Sequence, residues 1–413
     1  MLSLRAPALD VSKPAPMWLI VLLAAVTAIG PFATQAFLPA LPAVAETFEV
    51  PSGRSQLALS LAFLSIAIST LAFGPLSDRY GRRPVLHAGI GMFIVGSVGC
   101  VLAPTLELLV VARILQASGG AAGLVLARAI ARDLYGPERS ATVIAQLVMV
   151  MVLALMLAPG FGGVVNDLFH WRAIFVGISI GGVLVLIGSL RYLAESHASA
   201  GVAESPREML HGFGALLRSP MFCLLGAYPA LSSSIFFAFI AGSPYVMVDL
   251  LGRPTTEYGL YFILIAAGFM LGNLISVRIG TRVGMLPMMT IGMWIALLGV
   301  AICGVFVYLD RLSPMTLFLP IVLAQVGQGM GMPNAQAASL NEIPYRAGTA
   351  SALTGFAQMM SAAIVTQLVG TMLGRSAWPL IAFMAFGAVS SLLVAIAAQR
   401  LDRRRKVHNR AHH

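Results

Sequence analysis

Apolar runs of about twenty residues recur along this chain from end to end, and they leave it one kind of environment in which to fold. A run of that length, wound as a helix, crosses the roughly 30 Å hydrocarbon core of a bilayer. Hydrocarbon offers a backbone no partners, so each run must pair its own N–H and C=O groups, which a helix does. Twelve such runs predict spans at about 17–38, 55–75, 85–104, 107–128, 140–165, 172–193, 220–248, 257–278, 287–308, 314–336, 347–372 and 377–399. Composition agrees with that reading. The 413 residues are 58% apolar and 10% charged, with a mean hydropathy of +0.89, whereas a soluble domain carries about 25% charged residues. The expected class is an all-α polytopic membrane protein.

The net charge of +10 would suit a nucleic-acid binder if it were gathered on one surface, but it is spread by topology. Of the 26 basic residues, 20 fall in alternate loops and tails, among them Arg79, Arg82, Arg83, Arg128, Arg132, Arg278, Arg282, Arg346 and the run from Arg400 to Arg410. That bias follows the positive-inside rule and predicts both termini in the cytoplasm. The basic tail is expected to rest near anionic headgroups. Cys100, Cys223 and Cys303 lie in separate spans, an odd, dispersed set that makes no disulfide framework. The first run begins at Met17, exceeds a signal-peptide core and lacks a clean cleavage site, so it is read as the first helix.

The one long polar interruption, residues 194–219, divides the spans into six and six. The predicted organisation is a first bundle over 1–193, a cytoplasmic linker over 194–219, a second bundle over 220–399 and a basic tail over 400–413. The halves echo each other weakly. Asp78-Arg79-Tyr80-Gly81-Arg82 after the second span is set against Arg278-Ile279-Gly280-Thr281-Arg282 after the eighth, where the acid is lost.

Three segments carry the chemistry. Gly74-Pro75-Leu76-Ser77-Asp78-Arg79-Tyr80-Gly81-Arg82-Arg83 reads as a charged turn at a membrane surface, its glycines allowing tight turns. Asp78 is expected to cap a helix start or pair with an arginine across the bundle, a contact that can hold one conformation and break for another. Arg82 and Arg83 fit either that role or a topology signal. Arg113 lies several residues inside hydrocarbon, where a charge normally faces the bundle interior or a wet cavity. Gln116, three residues on, shares its helix face. In the fifth span, Pro159 with Gly162 and Gly163 predicts a bent, smooth helix.

Together these strings resemble the major facilitator superfamily, and its twelve-helix drug:H+ antiporters in particular. The strings Phe37-Leu38-Pro39-Ala40-Leu41-Pro42, Gly74–Pro84, Arg113–Ala122, Ala127–Asp133, Ala158-Pro159 with Gly162-Gly163, Trp171–Phe175 and Arg346–Ala352 are similar to the bicyclomycin/chloramphenicol resistance group (Bcr/CflA). The resemblance implies a major facilitator fold of two six-helix halves. It also implies a bacterial inner-membrane exporter of small amphipathic drugs, monomeric, working by proton antiport with alternating access. Within it, the Pro159 segment is the antiporter motif and Arg113 a residue tied to proton coupling.

One position departs from the group, which usually has an aspartate in the first helix where this chain has Gln35. All 16 acids fall in loops, tails or helix ends, and glutamine cannot exchange a proton. Glu46, Asp249 or Glu342 would serve only if the cavity reached them. Without a core acid beside it, Arg113 would favour an anionic or dipolar metabolite, and coupling would be absent or different. Candidate cavity groups are Thr34, Gln35, Gln56, Ser60, Gln146 and Met149 in the first half. In the second they are Ser232, Ser233, Ser234, Phe236, Phe237, Asn273, Gln325, Gln328, Asn334, Gln336 and Gln358. No cofactor, metal or nucleic acid is expected. The seven histidines show no metal-ligand spacing within a span, and no nucleophile–base pair is visible, so an enzyme is not expected.

Overall fold

A computed structural model describes residues 16–196, 213–214, 216–342, 347–374 and 376–411, without the side chains of 137–139, 141, 347 and 408–411. Arg5, Lys13, Arg207, Arg346, most of the linker and His412-His413 lie outside the described residues. Within them, twelve helices are long and apolar enough to cross a membrane: α1 (Met17–Thr47), α2 (Ser52–Tyr80), α3 (Arg82–Leu102), α4 (Leu106–Gly136), α5 (Thr142–Leu168), α6 (Trp171–Tyr192), α7 (Pro220–Leu250), α8 (Thr255–Val283), α9 (Met285–Tyr308), α10 (Pro314–Glu342), α11 (Gly348–Met372) and α12 (Trp378–Val407).

The spans run past their apolar cores, and the extensions have local causes. In α1 the helix passes through a 3-10 turn at Leu38–Ala40 and resumes at Leu41. Pro39 and Pro42 stand in the first turn of their segments, where a missing N–H costs nothing. The expected ten-residue turn after the second span is helix instead. Gly74, Pro75 and Asp78 lie inside α2, and Gly81 alone breaks the path before Arg82 opens α3. Between α4 and α5 the one departure from helical angles is Gly136, at φ 68° and ψ 175°. Hydroxyls close other helix starts: Thr105 accepts from the Leu108 N–H before α4, and Ser219 from the Phe222 N–H before α7.

Contacts divide the chain into two compact units. Unit 1 comprises Met1–Pro51, Leu57–Glu204 and Pro254–Gly259; unit 2 comprises Ser52–Gln56, Ser205–Arg253 and Leu260–His413. The first turn of α2 therefore packs with unit 2 and the first turn of α8 with unit 1. Unit 1 is centred on Leu19, Leu23 and Val26 of α1, Leu86 and Ile90 of α3, Leu126 and Ile130 of α4 and Leu147 of α5. In unit 2, α9 packs along α10 and α12, and α7 along α11 and α12. Helix α9 shows how sequence sets orientation: Met289, Met293, Ala296, Val300 and Cys303 are buried, while Ile291, Trp294, Leu298 and Val305 face outward. An outward stripe that apolar is matched by lipid tails.

Candidate functional site

At the α2–α3 junction, Gly81 takes φ 93° and ψ 150°, a conformation that strains a residue with a Cβ. That turn places Arg82 at the centre of a charge cluster. Its Nη1 pairs with the Asp78 carboxylate one helical turn back and donates to Ser77 Oγ at 2.6 Å; its Nε donates to Asp133 Oδ2 of α4 at 3.0 Å. Arg82 is buried, and paired acids on both sides offset the cost of removing its charge from water. Glu195, just beyond α6, completes the turn. Its carboxylate accepts from the N–H groups of Arg82 and Arg83 at 3.0 and 3.1 Å, capping the free donors that begin α3. Arg83 also donates to the Leu190 carbonyl at 2.7 Å.

Asp78 pairs with Arg82 one turn on rather than with an arginine across the bundle, and the link to another helix belongs to Arg82. Arg79 stands apart, exposed and lying over the Tyr80 ring. Gly74 packs against nothing within 4 Å at its Cα face. Asp133 and Glu195 are the partners that the sequence did not single out as site residues. Glu195 had no signal of its own, being one of three acids in residues 194–219.

The second half repeats the turn in a different register from the one read in the sequence. The structural counterpart of Gly81 is Gly284, at φ 91° and ψ 157°, not Gly280. Gly280 sits inside α8, because a helix end is set by where φ turns positive rather than by matching arginines. The N-cap glycine, Gly284, supplies no side-chain cap to α9. Instead the Gly284 turn borders a cavity of about 570 Å³, with Glu342, Asp402, Arg403 and Lys406 among its lining.

Arg113 is enclosed, with 1% of its surface exposed. Its guanidinium lies 4.8 Å from the Phe37 ring and 5.7 Å from the Phe175 ring. Nε donates to the Ala58 carbonyl at 3.3 Å and Nη1 to Gln116 Oε1; Gln116 Nε2 passes the chain on to Ser97 Oγ at 2.8 Å. Arg113 and Gln116 therefore act together, as their spacing predicted. No carboxylate is among the described partners. The charge is met by π faces and carbonyl and amide dipoles, each desolvated ring contact contributing up to about 2 kcal/mol. Phe37 and Phe175 enclose the group, and its Nη2 is buried without a hydrogen-bond partner among the described residues.

The antiporter segment is a close-packing surface. Pro159, Gly162 and Gly163 are buried, and a Cβ on Gly162 would fall on the Ala36 carbonyl of α1. The candidate cavity groups differ in how they are held. Thr34 Oγ1 donates to the Gly30 carbonyl at 3.2 Å, and Asn273 to the Phe269 carbonyl at 2.9 Å, both within their own helices. Gln328 donates to the Ser232 carbonyl, joining α10 to α7, and Asn334 Nδ2 donates to Ser276 Oγ at 2.6 Å. Gln146 and Gln358 are half-buried, and Met149 and Gln336 are exposed. Gln35 Oε1, both amide atoms of Gln56 and Gln325 Nε2 are buried without hydrogen-bond partners among the described residues. Polar atoms left this way mark places for water or a solute's polar groups.

Over residues 23–366 the chain matches the Major Facilitator Superfamily. The chain belongs to that superfamily. It is similar to multidrug resistance protein D of Escherichia coli (strain K12), 27% identical over 85% of this chain and 88% of that one. It is likewise similar to a bicyclomycin resistance protein homolog of Haemophilus influenzae, 27% identical over 91% and 94% of the two chains. The second bears out the group resemblance drawn from the motifs. In fold it is similar to the xylose transporter XylE of E. coli, with a TM-score of 0.71 at 14% identity over 93% of this chain and 97% of that one. The major facilitator fold expected from the sequence is therefore present. The chain is a multi-pass membrane carrier of small molecules and not an enzyme.

Proposed function

We propose that this carrier is a secondary active transporter that exports small amphipathic drugs across the inner membrane by proton antiport with alternating access. The observation that carries the substrate class is the enclosure of Arg113 between Phe37 and Phe175. With that charge shut away, the interior polar groups are amides and hydroxyls among Met and Phe side chains, which repack around varied apolar shapes. The resistance proteins named among its relatives support the same class. The Arg82 cluster, with Asp78 and Asp133, supplies a lock of the kind a rocking carrier breaks and remakes, with Gly81 and Glu195 fixing its geometry. Pro159, Gly162 and Gly163 provide a smooth surface for helix movement. In this reading the protein works as a monomer in the lipid bilayer, with both termini cytoplasmic.

Gln35 favours a second reading, a carrier that is uncoupled or coupled differently, since the usual first-helix acid is missing. Inside-out vesicles, energised acidic inside, separate the two. Addition of chloramphenicol-type, bicyclomycin-type, cationic-dye or organic-anion compounds is expected to alkalinise the lumen for the amphipathic drugs. A labelled compound crossing while internal pH stays fixed would refute proton antiport.

A further inference from the structure

The last helix carries its charges sorted by face. Helix α12 runs unbroken from Trp378 to Val407, and the cations beyond Gln399 fall into distinct sets. Arg405 Nη1 pairs with Glu342 of α10 at 2.7 Å, and Lys406 pairs with Asp402 at 2.8 Å. Gln399, just before them, donates to the Leu286 carbonyl at 2.9 Å and to Thr290 Oγ1 at 2.7 Å, which fixes that side of α12 against α9. Arg400 and Arg404 stand on the other side. Both are exposed, and neither has an acid partner among the described residues.

Their face continues the outward stripe of the membrane span. Phe386, Val389 and Leu393 are exposed, and at 3.6 residues per turn Phe386, Leu393, Arg400 and Arg404 fall within about 40° of one another. A groove of about 370 Å³ follows this face, lined by Leu393, Ile396, Ala397, Arg400, Leu401 and Arg404. Its depth can be read from the opposite end of the helix. Trp378 is exposed there, and tryptophan settles at the membrane–water interface. At 1.5 Å per residue, Arg400 stands about 33 Å further along, close to the roughly 30 Å thickness of the hydrocarbon core. The two free guanidinia therefore lie at headgroup depth, directly above an apolar strip.

We propose that this face of α12 binds one anionic phospholipid, its phosphate held between Arg400 and Arg404 and its acyl chains along Leu393, Val389 and Phe386. Side chains four residues apart are neighbours on a helix surface, and each guanidinium presents a fork that matches phosphate oxygens. A zwitterionic lipid would bring its own ammonium beside the phosphate. The described residues of this face include no acid to receive it, so the site selects a headgroup of net negative charge. Sequence alone puts the whole basic tail near anionic headgroups, whereas the pairing of Arg405 and Lys406 narrows the contact to two residues. The site is independent of what the carrier moves and of how it is driven.

Native mass spectrometry of the detergent-purified full chain, titrated with dioleoyl phosphatidylglycerol or dioleoyl phosphatidylcholine, counts bound lipids directly. The first phosphatidylglycerol is expected to bind about fivefold more tightly than phosphatidylcholine. Arg400→Gln with Arg404→Gln should weaken it about tenfold. Arg400→Lys with Arg404→Lys, which keeps the charge and loses the forks, should weaken it about threefold. Arg405→Gln with Lys406→Gln removes the same number of charges from the partnered side and should leave the affinity in place. A Cys303 thiol still shielded in each variant, as its burial requires, reports that the second half is folded. A diffuse surface attraction would count each cation alike, so equal losses from the two glutamine pairs would overturn the site. Equal affinity for the two lipids would overturn the headgroup choice. Displacement of phosphatidylglycerol by millimolar inorganic phosphate would make this a free-anion site rather than a lipid site, and retention in its presence supports the lipid.

Discussion

Replacing Gly81 by alanine tests the turn on which the Arg82 cluster hangs, and Gly284→Ala is its internal control. Both glycines adopt nearly the same backbone, φ 93° and ψ 150° against φ 91° and ψ 157°. Holding a residue with a Cβ there costs about 1–3 kcal/mol. At Gly284 little else is added, since the nearest atom to a new Cβ is the Pro287 ring at 3.8 Å. At Gly81 the Cβ would sit 2.9 Å from Glu195 Oε2, so the carboxylate must leave the amides of Arg82 and Arg83. Loss of a cap costs about 0.5–2 kcal/mol, and because Glu195 can turn into water the added cost should be about 1 kcal/mol. Two thiols make each unit report on itself: Cys100 in unit 1 and Cys303 in unit 2 are both 0% exposed. Thermal unfolding in detergent, followed by a thiol-reactive fluorophore in single-cysteine variants, reads them in turn. Gly81→Ala should lower the Cys100 transition by about 2–4 °C more than Gly284→Ala lowers the Cys303 transition. Equal shifts would refute the Glu195 cap, and no shift in either would refute the turn geometry.

Arg82→Met copies the residue that opens α9 and leaves Asp78 and Asp133 without their cation. With Asp78 partly solvated at 39% exposure, the expected loss is about 2–3 kcal/mol, and adding Asp133→Asn should recover part of it in the Cys100 transition. Arg113→Lys keeps the charge but loses the planar stacking between Phe37 and Phe175, so it should cost about 1–2 kcal/mol by the same assay; an unchanged transition would remove the stacking argument. His170 lies in the α5–α6 turn, where burial and then Arg172 hold its pKa below the usual 6.5. Its Nδ1 accepts from the Arg172 N–H, which only the neutral ring can do. The folded state therefore resists a proton that the unfolded chain takes up. The cap is fully present above about pH 6.5, and its contribution is lost as pH falls through the lower folded midpoint. An NMR titration of His170 should show a midpoint below that of a free histidine, and a midpoint above it would reverse the sign.

The twelve spans were legible because a run of twenty apolar residues has few other uses, and their ends were not. The sequence stops α1 near residue 38, yet Pro39 and Pro42 each stand where a new helical turn begins, and the chain stays helical to Thr47. It stops α12 at 399, while Asp402 and Lys406, paired at 2.8 Å one turn apart, carry the helix to Val407. Arg113 and Gln116 could be joined from their spacing because both lie on one helix. Arg82 with Asp133 and Glu195 with the α3 amides could not. Each of those pairs depends on how separate helices meet, and no short-range pattern records it.

The repeat register explains why the charge cluster is confined to one half. With Gly284 set against Gly81, Pro287 matches Pro84, Thr281 falls opposite Asp78 and Met285 opposite Arg82. The close crossing of Gly89 with Gly119 recurs as Gly292 with Gly327, which puts Asn341 opposite Asp133. Trp378 set against Trp171 puts Asp402 opposite Glu195. These changes belong together. Once methionine replaces the guanidinium, an acid at the counterpart of Asp78 or Asp133 would be left without its cation, at a cost of several kcal/mol if buried, and both positions are neutral. Asp402, freed from any capping role at α9, pairs with Lys406 instead. The Arg82 cluster is thus carried by unit 1, while unit 2 has an ion pair of its own between helices, Glu342 with Arg405. If the cluster acts in transport, neutralising charge in this half should alter the pH dependence of export. The matching substitutions Thr281→Ala and Asn341→Ala, changed together, should leave that dependence in place, and a shift of equal size from them would refute the one-sided arrangement.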